Sequence, residues 1–180
     1  VEVIAHENTK TNMANMPQFY GANAQYQPSK TYTTTWTQGK GNDQIELRYF
    51  GAAPTNGDSV IVFPGLRVAQ MGDMIAWKDG PLCDRNNGGS CVAYPNTLAG
   101  AAASLKNIDI VIPGHSPMMK VSHVQEYQRF MAELVASSQA AMKAGKAVDE
   151  AFAAFSLAKY PGYKNERVKA AIQVIYDETK

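Results

Sequence analysis

The sequence predicts a layered α/β domain with helices packed on one face of a sheet. Three observations predict it. Strand patterns crowd residues 44–71, helix patterns crowd the chain after residue 122, and a strand–helix–strand step joins the two regions. Hydrophobic residues make up 45% and charged residues 18% of the 180 positions, so one globular domain with its own core is expected.

Val1–Ala5 has strand composition, and Asn8 or Thr9 is placed to cap a helix running to about Met16. Residues 17–43 are polar and turn-rich, and only Thr31–Thr37 among them is β-branched and aromatic enough for a strand. Gln44–Phe50 alternates, with Ile45, Leu47 and Tyr49 on one side, which predicts a strand with one buried face. Asn56-Gly57 suits a tight turn before a second strand at Ser59–Phe63. Pro64-Gly65 then turns the chain into a third strand, Leu66–Met71. Asn96–Lys106 reads as a helix, and Ile108–Ile112, apolar except for Asp109, as a buried strand. Ser122 with Gln125 suggests a capping box opening a long helix to about Ala144, ended by Gly145. Val124, Tyr127, Met131, Leu134 and Val135 form its apolar stripe. Two more helices are expected, Val148 to about Lys159 and Glu166–Glu178.

A formal net charge of +1 offers no electrostatic basis for nucleic acid or an anionic membrane. The mixed charges of Lys164–Lys169 read as a solvated face. No apolar run reaches the roughly 20 residues of a membrane span. The chain opens on Val1 rather than Met, with a strand already under way and no signal peptide ahead of it. That points to processing or to a longer parent chain. Cys83 and Cys91 flank a polar loop rich in Gly and Asn, flexible enough to bring the thiols together. A disulfide and two reduced thiols both remain open. The disulfide would imply an oxidising compartment, periplasmic or secreted. No second Cys pair exists to build a thiolate zinc site.

Two strand-end motifs carry candidate chemistry. Met71-Gly72-Asp73-Met74 puts a carboxylate behind a glycine that lets the backbone turn, and Ile112-Pro113-Gly114-His115-Ser116-Pro117 presents a histidine after a strand. Asp73 and His115 are ligand types suited to zinc. Each also has a plainer reading, the Asp as a turn cap and the His as a structural side chain.

Phe50–Pro64, Leu66–Met74, the Gly88-Gly89-Ser90 loop and Ile112–Pro117, in this order, resemble the second half of metallo-β-lactamase-superfamily hydrolases. Val3–Thr9 resembles the strand and helix start that follow that family's first metal motif. The resemblance implies the C-terminal half of an αββα sandwich with a helical C-terminal tail. Residues 1–121 would form the partial metallo-β-lactamase-like domain, and residues 122–180 helices packing on it. It also implies a two-metal cleft, with Asp73 at the bridging Asp position and His115 at the late His position. The Cys83–Cys91 loop would then lie beside the active site.

The departures are as informative. The family's early His-x-His-x-Asp-His motif is absent, and Pro54 stands where the middle His ligand belongs. His6 and His123 match no ligand position. Proline offers no ligand atom, and two ligands are too few for a catalytic zinc. The expectation is therefore a hydrolase-like fragment with an incomplete di-metal site, inactive as an isolated chain. A degenerate structural or assembly subunit without zinc is the alternative, and a small-molecule binding module using the old cleft is a weaker third. Half a sandwich leaves a sheet face uncovered, so packing against a missing N-terminal half, a second copy or a separate protein is expected.

Overall fold

The computed structural model describes residues 1–180. Near the N-terminus, β1 (Ile4–His6) pairs in parallel with β2 (Lys30–Tyr32), and α1 (Glu7–Ala14) lies between them in sequence. The main sheet has five strands in spatial order β3 (Thr35–Gln38), β4 (Ile45–Arg48), β5 (Val60–Phe63), β6 (Val68–Gly72) and β7 (Ile110–Pro113). The first four form an antiparallel meander, and β7 joins β6 in parallel. A parallel neighbour needs a crossover. That crossover contains α2 (Tyr94–Ser104).

Register decides which side is core. Val62 pairs with Ala69, and Ala69 with Val111. Side chains alternate along a strand, so these residues share a face with Val60 and Met71. All five are buried, in one cluster with Leu98 and Ala101 of α2 and the apolar stripe of α3 (Val121–Lys143). The opposite face carries Leu47, Ile61, Phe63, Val68, Ile110 and Ile112, of which only Leu47 is buried, and Ile110 is 38% exposed. The run Ile108–Ile112, expected as a buried strand, is thus an edge strand with one open face. Its apolar residues serve two different surfaces, and Asp109 among them pairs with Arg67 at 2.6 Å.

Several local expectations are corrected. The cap of α1 is His6, not Asn8 or Thr9: the His6 Nδ1 accepts from the Asn8 N–H at 3.2 Å. The other ring nitrogen lies 2.8 Å from the Thr33 carbonyl, and the ring stacks on Tyr49 at 3.8 Å, so this histidine is structural. Asn8 and Thr9 bond instead to the carbonyls of Asn56 and Gly57, at 2.7 and 3.0 Å. Asn56-Gly57 is therefore a docking point in the long β4–β5 loop, not a tight hairpin turn. A Cβ on Gly57 would collide with the Thr9 hydroxyl, so close packing requires the glycine. Thr31–Thr37 divides into β2 and β3, one strand for each sheet. The α3 start is held by the Lys120 N–H donating to His123 Nδ1 at 3.3 Å, not by Ser122 and Gln125.

The helical tail comprises α3, α4 (Val148–Ala154) and α5 (Val168–Thr179). α4 stops short of the expected Lys159 because the chain must turn to insert Tyr160 and Tyr163 beside Phe130, at ring distances of 5.2 and 4.7 Å. On α5, Val168, Ile172 and Ile175 face the core. No helix is long and apolar enough to cross a membrane.

The C-terminal turn of α5 is tied back to the start of α2. The Glu178 side chain is 10% exposed and accepts from the Cys91 N–H at 3.0 Å, the Val92 N–H at 3.2 Å and the Ser90 hydroxyl. Glu178→Ala strands these donors in a part-buried site. We expect it to cost about 2–3 kcal/mol, seen as a lower midpoint in urea unfolding. An unchanged midpoint would mean that water replaces the carboxylate at no cost.

Candidate functional site

The site is built where β6 and β7 end side by side. Gly72 takes a left-handed φ of +50°, which turns the chain so that Asp73 leaves the sheet. The Gly114 N–H donates to the Gly72 carbonyl at 2.8 Å and sets the two loops in register. Asp73 Oδ1 and His115 Nε2 then lie 3.2 Å apart, with side chains 59% and 86% exposed. A Cβ on Gly114 would overlap Asp73 Oδ1, so the close approach depends on that glycine. Beneath the pair, the Tyr94 hydroxyl donates to the Asp73 carbonyl at 3.3 Å. Burial pushes that phenol well above its ordinary pKa, with smaller contributions from neighbouring acidic groups. It stays a neutral donor at any ordinary pH.

Asp73 and His115 open onto a cleft of about 570 Å³. One wall is Pro54, Thr55 and Asp58, and another is the loop that follows Asp73, with Trp77, Lys78 and Asp79. Leu82 and Asp84 flank Cys83, which is disulfide-bonded to Cys91. This disulfide loop is sewn to the Pro54 segment. The Asp84 N–H donates to the Pro54 carbonyl at 2.7 Å, and the Ser90 N–H to the Ala53 carbonyl at 3.1 Å. Pro54 thus sits in the cleft wall, and its main chain serves as a brace.

The donor set can be compared with what a catalytic zinc requires. Such a site typically uses three protein ligands and one open position. Here no group of three or more His, Cys, Asp or Glu side chains converges. Asp58 also lines the cleft, but its Oδ2 accepts from the Thr55 N–H at 2.6 Å and the Thr55 hydroxyl at 2.8 Å. His123 lies against Trp77, with ring centres 4.8 Å apart. Asp73 and His115 are the donors that meet, and alone they do not fit a catalytic zinc.

No protein-family model matches the chain, and no curated protein does. Solved structures do. A metallo-β-lactamase from Pontibacter korlensis superposes with a TM-score of 0.59 at 19% identity, over 73% of this chain and 58% of that one. The DIM-1 metallo-β-lactamase gives 0.60 at 16% identity over the same shares. The chain has a metallo-β-lactamase fold. The stereoselective inverting sec-alkylsulfatase Pisa1 from Pseudomonas sp. carries it as well, with a TM-score of 0.66 at 14% identity over 83% of this chain and 26% of that one. This chain therefore spans little more than half of the two metallo-β-lactamases and about a quarter of the sulfatase. Identities this low establish the fold alone.

Sequence reading missed the cationic side of the cleft. Lys164 and Arg167, read as part of a solvated face, line it together with Lys78. No local pattern brings residue 164 beside residue 78; only the turn after α4 does so. Lys78 has a left-handed φ of +60°, unusual outside glycine, but its neighbours in sequence do not announce it.

Proposed function

We propose that this chain is the C-terminal half of a metallo-hydrolase-like protein, with Asp73 and His115 as two ligands of a divalent-metal centre that it cannot complete alone. The adjacency of these two side chains, at 3.2 Å on neighbouring strand ends of a metallo-β-lactamase fold, carries this reading. The substrate class would be an ester, amide, thioester or related hydrolysable bond. The partly exposed apolar residues of the second sheet face supply the matching structural argument. Ile61, Phe63, Val68, Ile110 and Ile112 form a surface that another β-layer would cover, whether an N-terminal half, a second copy or a separate protein. Residues 1–121 would be this chain's partial share of that sandwich, with residues 122–180 as helices packing on the same domain. The Cys83–Cys91 bridge favours an oxidising compartment, periplasmic or secreted.

Pro54 favours a second reading, a degenerate member kept as a structural or assembly subunit. It occupies the cleft wall with no side-chain donor. Metal analysis separates the two. In the first reading the native protein, with the rest of the centre supplied, takes up zinc, manganese or iron, His115 ring resonances shift on addition, and Asp73→Ala abolishes both effects. No metal uptake in excess ion leaves the subunit reading. Uptake that survives Asp73→Ala removes Asp73 from the centre and with it the ligand assignment.

A further inference from the structure

We propose that Tyr20, Asn23 and Tyr26 form a binding ridge for a neutral oligosaccharide, on the segment between α1 and β2. None of these residues lines the cleft, so the ridge is independent of the function proposed above. Tyr20 and Tyr26 are 54% and 58% exposed. Single exposed aromatics are ordinary on a protein surface, but these two share a row. The row follows from the local backbone. Gly21–Tyr26 is a 3₁₀ helix, and the Asn23 N–H donates to the Tyr20 carbonyl at 3.2 Å, which extends the same period back to Tyr20. Side chains three positions apart eclipse in such a helix, and a rise of about 2 Å per residue puts Tyr20 and Tyr26 about 12 Å apart along its axis. That spacing suits a chain of sugar rings rather than a single ring.

The segment is braced from within. The side-chain amide of Asn23 donates to the Gln18 carbonyl at 2.9 Å, that of Gln25 to the Ala22 carbonyl at 3.0 Å and that of Gln27 to the Phe19 carbonyl at 3.1 Å. The first and last of these tie the helix to the preceding turn Pro17–Phe19, and buried Pro28 anchors its far end. Little ordering is left for a ligand to impose. Charge then selects the ligand. No Lys, Arg, Asp or Glu occurs from Thr11 to Ser29. A nucleic acid or an anionic surface would need cations here, and a charged peptide would need a counter-charge. The segment presents phenol rings and amides instead. The negative face of a phenol ring attracts the polarised C–H groups of a pyranose. Tyrosine supplies that contact area with only two rotatable angles to fix. The Asn23 Oδ1 and the tyrosine hydroxyls supply acceptors and donors for sugar hydroxyls.

The test uses the full chain in EDTA and calorimetric titration with cellohexaose, laminarihexaose and chitohexaose. Saturable binding of at least one is expected, and the one held most tightly identifies the linkage. Tyr20→Ala and Tyr26→Ala should each weaken it about tenfold or more, through loss of one stacked ring face. Tyr26→Phe, which keeps the ring, should retain most of the affinity. Raising NaCl from about 0.1 to about 1 M, which shortens the Debye length from about 10 to about 3 Å, should leave the affinity unchanged. Heparin and a neutral proline-rich peptide are the comparators. Both tyrosines are exposed, and far-ultraviolet dichroism checks that each variant keeps the fold. No binding of any hexasaccharide at millimolar concentration, tighter binding of heparin or of the peptide, or parent-like sugar affinity in the double variant Tyr20→Ala with Tyr26→Ala overturns the proposal. Asp73→Ala should bind the sugar as the parent does, so a failed metal centre and a failed ridge give different results.

Discussion

On the proposed reading that Asp73 and His115 hold a divalent metal, Gly114→Ala is expected to weaken that binding by roughly 10- to 100-fold, the range seen when supporting groups around metal ligands are altered. The cause is steric. The new methyl would occupy the place of Asp73 Oδ1, and the glycine's own amide is tied to the Gly72 carbonyl at 2.8 Å, so the loop cannot slide away cheaply. Asp73 is 59% exposed and can swing outward, which separates it from His115 while the sheet stays intact. Zinc titration followed by His115 ring resonances reads the affinity, and circular dichroism reads the fold. Ser116→Ala, on the same loop, is the control. Parent-like zinc affinity in Gly114→Ala would show that the ion does not use the two side chains at their observed separation.

The same geometry explains what was legible in the sequence. The alternation in Gln44–Phe50 and the apolar run at Ser59–Phe63 specify paired strands, because a period of two admits one buried face. The stripe Val124, Tyr127, Met131, Leu134 and Val135 is helical by spacing, and all five residues are buried. Asp73 and His115 are visible as strand-end residues because Gly72 and Pro113-Gly114 punctuate the chain just ahead of them. The missed features depend on partners far away in sequence. His6 caps α1 because Tyr49 and the Thr33 carbonyl hold its ring in place. Nothing in residues 1–16 encodes that. Ile108–Ile112 reads as buried by composition, yet its position at the sheet edge follows from strand order, which hydropathy does not report. Lys164 reaches the cleft through an irregular turn, where periodicity has no purchase.

Phe130→Ala should produce the largest loss of stability, about 3–5 kcal/mol. The ring is fully buried and meets Tyr127 at 5.8 Å, Phe155 at 6.1 Å, Tyr160 at 5.2 Å and Tyr163 at 4.7 Å. These neighbours come from α3 itself, from the end of α4 and from the turn before α5. Truncation leaves a cavity that none of them can fill without breaking its own packing. At roughly 2–4 °C per kcal/mol for a chain of this size, the melting temperature should fall by about 6–20 °C. Phe130→Leu, which keeps most of the volume, should lose much less. The shape of the transition is as informative as its position. Tyr163 also packs edge-on against Trp77 at 5.8 Å, so the aromatic cluster joins the helical tail to the loop that follows Asp73. If residues 122–180 pack on the same domain as the sheet, Phe130→Ala should shift one cooperative unfolding step, with Trp77 fluorescence and far-ultraviolet dichroism changing together. Two separated steps, with Trp77 retaining its native signal after the tail has melted, would show that the tail is a unit of its own and that the cleft does not depend on it.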